Sequence, residues 1–143
     1  MRIFQGLIFL LFFNYSSAQL IGEGDYKIFF KKLTKIGQYN LKDKENNCTQ
    51  RIKYLGKIIS TDKHTFKVLT SHKNLSGKGV NDLVFISANN IEYIYRLNLP
   101  SDFPIYISNN RLYFKNERKL NVSMSIGPLT EEFCTPVECF SKI

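Results

Sequence analysis

The stretch LVFISANNIEYIYRL, from Leu83 to Leu97, contains two runs of β-forming residues separated by Ala88-Asn89-Asn90. Asparagine tolerates a positive φ angle, so a short asparagine-rich break between two such runs is typical of a hairpin turn. In the second run the two tyrosines fall on one face, and Glu92 and Arg96 fall on the other. The stretch therefore predicts two antiparallel strands with one face turned towards a core.

The same pattern recurs on both sides of this hairpin. Downstream, residues 105–107 and 111–115 flank Ser108-Asn109-Asn110, and residues 120–126 alternate between apolar and polar side chains. Upstream, a β-rich region begins at Arg51, with Gly56 as a candidate bulge, and continues in a strand over residues 64–70. We therefore expect a mainly β fold, an antiparallel sandwich or open barrel of about seven short strands built from hairpins.

Three segments are not predicted to be strands. Apolar residues between Tyr26 and Ile36 recur at steps of three and four, which predicts one N-terminal amphipathic helix, with a strand as the alternative. Residues 40–50 are polar and predict a loop that carries Cys48. Residues 71–82 are rich in Asn, Ser and Gly, and they predict a long loop.

The first eighteen residues have the layout of a secretory signal peptide. Arg2 precedes an unbroken apolar run over residues 7–13, and Ser16-Ser17-Ala18 provides a cleavage site after Ala18. The apolar run is too short to cross a bilayer, and no later segment is apolar enough to do so, although an uncleaved anchor remains the alternative. We therefore expect an exported protein, periplasmic or secreted, without a transmembrane helix in the mature chain.

The domain organisation follows from these segments. The chain has 143 residues, which suits one domain. After the signal peptide at 1–18, residues 19–50 form an N-terminal helix and loop segment. Residues 51–143 form the antiparallel β domain, and the two pack together as one unit.

Positive charge is concentrated in one half of the chain. Residues 27–78 contain 13 basic and 3 acidic residues, whereas residues 79–143 contain 6 and 7. In an exported protein this asymmetry points to an anionic envelope component or an acidic protein as partner, and not to nucleic acid. The alternative is a solvated face without a ligand. The candidate anion-binding face comprises Lys53, Lys57, Lys63, Lys67, Lys73 and Lys78.

Three cysteines leave the disulfide pairing open. Cysteines of exported proteins are first interpreted as disulfides, and the odd count leaves one over. Cys134 and Cys139 flank a segment in which Pro136 favours a turn, so a local pair is one option. Cys48 is the alternative partner for either of them, and that longer loop would restrict the unfolded chain more. A zinc site lacks the paired ligand spacing it needs.

No complete catalytic motif is present in the sequence. His64 and His72 are the only histidines, and neither they nor the neighbouring Ser71 and Asp62 follow a known triad order. We therefore assign no catalytic residue, metal or cofactor, and we expect a non-catalytic binding or structural module of the cell envelope. One alternative is a small exported hydrolase or enzyme-inhibitor-like protein acting from the 71–82 loop. Another is a metal-binding envelope protein that uses both histidines and a cysteine.

The strands also resemble a known group of proteins. Residues 66–70, 83–87, 90–97, 99–104 and 107–114, and the leader ending in Ser-Ala-Gln, are similar to small uncharacterised exported proteins of flavobacteria and related Bacteroidetes. The resemblance consists of strands and turns without a catalytic signature. It implies an exported, Gram-negative setting and assigns no site residue.

Overall fold

The computed structural model describes residues 20–31, 35–115, 121–136 and 138–143. The expected signal peptide over 1–18, with its cleavage site at Ala18, lies outside the described residues. One helix, α1, covers Tyr26–Phe30, and a 3-10 helix covers Pro100–Asp102. The ten strands are β1 Gly37–Asp43, β2 Cys48–Ile59, β3 Thr65–Leu75, β4 Lys78–Ser87, β5 Glu92–Leu97, β6 Pro104–Ser108, β7 Arg111–Lys115, β8 Asn121–Met124, β9 Glu132–Cys134 and β10 Cys139–Ser141.

The expected mainly β, antiparallel fold is confirmed. Strands β1 to β5 form one sheet in chain order, β6 to β8 form a second, and β9 and β10 form a third. All pairings are antiparallel, and within the described ranges no sheet closes into a barrel. Both predicted asparagine turns are present, with positive φ angles at Asn90, Asn109 and Asn110.

The strands beyond the seven expected are β1, β9 and β10, and the two segments predicted to be loops are largely extended. Residues 40–50 contain most of β1 and the start of β2, and Leu41 lies opposite Gln50. Residues 71–82 contain the ends of β3 and β4, which are joined by a turn at Ser76 and Gly77 with φ angles of 51° and 93°. Both loop predictions are wrong, because cross-strand pairing stabilises polar segments whose composition alone favours a loop.

The N-terminal helix is shorter than predicted. It ends at Phe30, and Gly37 opens β1, so Ile36 is 70% exposed instead of lying on a buried helical face. The carboxylate of Glu92 accepts hydrogen bonds from the backbone N–H groups of Gly24 at 2.7 Å and Lys27 at 2.6 Å. These bonds fasten the helical segment to β5 and satisfy donors that a helix start leaves free.

The five-stranded sheet has a hydrophobic core on each face. One face packs against the two smaller sheets through a core that includes Phe66, Phe85, Tyr95, Leu112 and Phe133. The other face is covered by the N-terminal segment, through a core that includes Ile21, Tyr26, Phe30, Ile52 and Val84. The order of layers is therefore the N-terminal segment, the large sheet and the small sheets.

A side chain in the turn between β6 and β7 is bonded to the large sheet. The Asn110 side chain accepts a hydrogen bond from the Ile59 N–H at 2.7 Å and donates to the Ile59 carbonyl at 2.8 Å.

Cys134 and Cys139 form a disulfide that closes the hairpin of β9 and β10, so the local pairing is the one present. Cys48 is free and buried.

The predicted bulge at Gly56 is also present. Its φ angle is +119°, and the pairing of β2 with β3 shifts register between Tyr54 and Gly56. The extra residue is Leu55, which lies in the core against the small sheets. An inserted residue reverses the alternation of side chains along the rest of a strand. This reversal decides which lysines of β2 share a face.

Candidate anion-binding cleft

An open cleft of about 880 Å³ lies where the small sheets leave part of the large sheet uncovered. Its floor consists of side chains from β1, β2 and β3, namely Gln38, Arg51, Lys53, Thr70 and His72. Its wall is the segment from the 3-10 helix into β6, with Lys115 of β7 beside it. Clefts of several hundred Å³ hold small organic ligands or parts of larger ones.

Strand register places the floor residues side by side. Lys53 lies opposite Gln38 on one neighbouring strand and Thr70 on the other, and Arg51 lies opposite His72. The two rows are separated by two residues along each strand, so their side chains lie on the same face. This face is a continuation of the one that forms the core with the small sheets.

Lys53 is held in place by the wall of the cleft. Its Nζ donates a hydrogen bond to the carbonyl oxygen of Ile105 at 2.8 Å. Ile105 lies at an irregularity in the pairing of β6 with β7, between Pro104 and Tyr106. An ammonium group has three donors, so this bond leaves two for a ligand or water.

His72 is oriented by a bond to the neighbouring strand. Its Nδ1 lies 2.7 Å from Oδ1 of Asn81, whose Nδ2 donates to the Asn98 carbonyl at 3.3 Å. Since Oδ1 is thus the acceptor, Nδ1 of His72 carries the hydrogen. Nε2 is then an acceptor in the neutral ring and a donor in the protonated ring.

The lining of the cleft combines basic and apolar side chains. Arg51, Lys53 and Lys115 contribute three cationic groups, and none of the described residues that line the cleft is Asp or Glu. The apolar wall includes Phe103 and Pro104. Concave surfaces of one charge sign focus the field and attract oppositely charged ligands. The arrangement is suited to an anionic ligand with an apolar part.

The six lysines of the predicted anion-binding face do not share a face, and this corrects the prediction. Lys53 is in the cleft, whereas Lys57 and Lys67 lie opposite each other on the other side of the sheet. The bulge before Gly56 inserts one residue, which turns Lys57 away from Lys53. Lys63 lies in the turn between β2 and β3, and Lys78 lies at the start of β4.

Lys73 packs against the N-terminal segment. Its Nζ lies 5.8 Å from the centre of the Tyr26 ring, a distance typical of a cation–π contact. Burial lowers the pKa of Lys73, and the nearby charge of Asp82 opposes that effect. A lysine that the sequence suggested for ligand binding is thus part of the packing between the N-terminal segment and the sheet.

The structure does not bring together the residues on which the hydrolase and metal alternatives were based. His64 and His72 lie near opposite ends of β3, eight residues apart, which is about 26 Å of extended chain. Ser71 is buried on the face opposite His72 and bonds to Gln50 at 2.9 Å. Within the described ranges, no three His, Cys, Asp or Glu side chains are grouped as metal ligands.

The sequence missed most of this site. The sequence marks His72 only as a candidate metal ligand or catalytic residue, and it does not mark Arg51, Phe103 or Lys115 as site residues. No local signal identifies them, because the cleft forms between strands far apart in the chain.

No helix in the described parts of the chain has the length and apolar character to span a bilayer. No family model, curated protein or solved structure matches the chain.

Proposed function

We propose that the protein is an exported, non-catalytic binding module whose cleft binds an anionic component of the cell envelope. The observation that carries the proposal is the grouping of Arg51, Lys53 and Lys115 around a cleft whose described lining has no carboxylate. Charge-assisted hydrogen bonds from such donors to carboxylate or phosphate are about twice as strong as neutral ones.

The contacts within the cleft support the proposed binding. The bond from Lys53 to Ile105 and the bond from His72 to Asn81 hold the ammonium donor and the imidazole ring in place before any ligand arrives. Donors that are already oriented lose less conformational entropy when they bind. The Cys134–Cys139 disulfide is compatible with the oxidising compartment that the proposal requires.

The test compares two double variants with the same change in charge. Arg51→Gln with Lys53→Gln removes two cations from the cleft, and Lys57→Gln with Lys67→Gln removes two from the opposite face of the sheet. The probe is pyrophosphate, titrated into the full chain at low salt and followed by NMR. We expect the cleft variant to bind at least about tenfold more weakly, since the loss of one charge-assisted bond alone accounts for about that factor.

The control variant should bind pyrophosphate within about twofold of the unaltered protein. Equal weakening in both variants would mean that only net charge matters, which would overturn the cleft as the site. Absence of pyrophosphate binding by the unaltered protein would overturn the proposed function itself. Thermal unfolding of each variant verifies that the fold is intact.

A further inference from the structure

Two tyrosines form a stacked pair on the outer face of the three-stranded sheet. Tyr106 of β6 lies directly opposite Tyr113 of β7, with ring centres 4.6 Å apart and planes inclined by 11°. Tyr106 is 40% exposed, and neither tyrosine belongs to a buried core. Such a pair presents a rigid aromatic surface to solvent at little cost in conformational entropy.

The tyrosine pair adjoins the basic cleft. Lys115 lies two residues after Tyr113 on the same face of β7, and it also lines the cleft. On β6, Tyr106 directly follows Ile105, which lines the cleft and accepts the bond from Lys53. The tyrosine pair therefore borders the cleft through Lys115, which lies on the tyrosines' face of β7 and lines the cleft.

A further cation flanks the tyrosines at the far end. Arg111 lies two residues before Tyr113, and its Nε and one terminal nitrogen each donate a 2.9 Å hydrogen bond to Ser123. These bonds orient the guanidinium group, which has five donors in total. The sequences of β6, β7 and β8 contain no Asp or Glu. Positive charge therefore lies on both sides of the aromatic pair.

We propose that the ligand of the cleft is an acidic oligosaccharide that extends from the cleft onto the tyrosine pair. This inference rests on the proposed function and adds the class of ligand. Carboxylates of the sugar chain bind Arg51, Lys53 and Lys115, and one sugar ring packs its C–H face on Tyr106. The hydroxyl and amide groups of Thr70 and Gln38 in the floor suit a ligand rich in hydroxyl groups.

A small anion would use the cleft alone and would leave the tyrosines without a role. Single-stranded nucleic acid is the competing chain-like ligand, because its phosphates and bases also use cations and aromatic rings. We favour the oligosaccharide because the proposed function places the protein outside the cytoplasm, a location with which the disulfide is compatible.

The test titrates the full chain with an oligogalacturonate, its carboxyl-reduced neutral counterpart, pyrophosphate and oligothymidylate. The variant Tyr106→Ser removes the exposed ring, and Tyr106→Phe keeps it as the matched control. We expect Tyr106→Ser to weaken oligogalacturonate binding about tenfold, as loss of one stacking contact would, and to leave pyrophosphate binding unchanged. Tyr106→Phe should bind both probes as the unaltered protein does, and the neutral counterpart should not bind.

Each other outcome is decisive. Unchanged oligogalacturonate binding by Tyr106→Ser would overturn the role of the tyrosine pair, and tighter binding of oligothymidylate would overturn the assignment to carbohydrate. In both cases, loss of pyrophosphate binding in the Arg51→Gln, Lys53→Gln variant would leave the proposed function standing. If that variant binds pyrophosphate normally, the proposed function itself fails.

Discussion

The side chain of Gln50 bonds to both backbone groups of Ile21. Oε1 accepts a hydrogen bond from the Ile21 N–H at 2.7 Å, and Nε2 donates to the Ile21 carbonyl at 3.1 Å. Nε2 also donates to Ser71 Oγ at 2.9 Å, and Gln50 is only 1% exposed. The side-chain amide of Gln50 therefore gives Ile21 the two backbone hydrogen bonds that a neighbouring strand would otherwise provide.

We expect Gln50→Leu to lower the free energy of unfolding by about 3 kcal/mol, because it leaves buried polar groups of Ile21 and Ser71 without their partner. Urea unfolding followed by circular dichroism measures the loss. Gln38→Leu, at an exposed position on the neighbouring β1, is the control and should change the free energy by less than about 0.5 kcal/mol. A similar loss in both variants would contradict the role of the buried amide.

Gly56 is a second residue of β2 at which a substitution should reduce stability. Its φ angle of +119° is accessible essentially only to glycine, so Gly56→Ala should cost about 1–3 kcal/mol. Gly79 on β4 is the control, because an added Cβ there would lie 3.6 Å from Cε1 of His72, an ordinary contact. Chemical denaturation of the two variants should show a loss for Gly56→Ala alone. Equal stability of both would show that the bulge tolerates other backbone angles.

The hairpins could be predicted from the sequence because their signal is local. Asparagine supplies the positive φ angles that the turns at Asn90 and Asn109 require, and the flanking runs alternate clearly. The strands in residues 71–82 could not be predicted in the same way. His72, Asn74 and Gly79 are extended because they pair with residues of other strands, and composition does not contain that information.

The candidate site was only partly predictable for a related reason. Net charge points to the basic half of the chain, but the face on which each cation lies depends on register. Lys53 and Lys57 have the same parity in the sequence, and the bulge between them places them on opposite sides of the sheet. Lys115 belongs to a different sheet altogether, and only the packing of the sheets brings it to the cleft.

The disulfide gives a third prediction. Cys134 and Cys139 enclose a short loop, so replacing both with Ser should lower the free energy of unfolding by about 2 kcal/mol in the chain-entropy model. The unaltered protein should lose the same amount in reductant, and the variant should be insensitive to reductant. If Cys48→Ser instead abolished the effect of reductant on the melting temperature, Cys48 would be a partner in the bond, and the pairing would be wrong.

Tyr95 gives a prediction about stability at high pH. Its hydroxyl donates a hydrogen bond to the Thr130 carbonyl at 2.7 Å, and its ring is fully buried in the core against the small sheets. Burial raises the pKa of Tyr95 from 10.0 to about 12, with a contribution from the negative charge of Glu131. Burial also raises the pKa of Tyr26. Both phenols therefore stay neutral in the folded protein at pH values where the unfolded chain loses the proton.

The direction of the pH effect on stability follows from how many protons the folded and the unfolded protein bind. The unfolded chain binds fewer protons than the folded protein once the pH exceeds about 10, so stability is complete below that pH and falls as the pH rises towards about 12. The slope is at most about 1.4 kcal/mol per pH unit for each tyrosine. Urea unfolding across this range should show a smaller slope for Tyr95→Phe than for the unaltered protein, and a smaller one still when Tyr26→Phe is added. An unchanged slope in Tyr95→Phe would mean that the phenol ionises in the folded protein as it does in the unfolded chain.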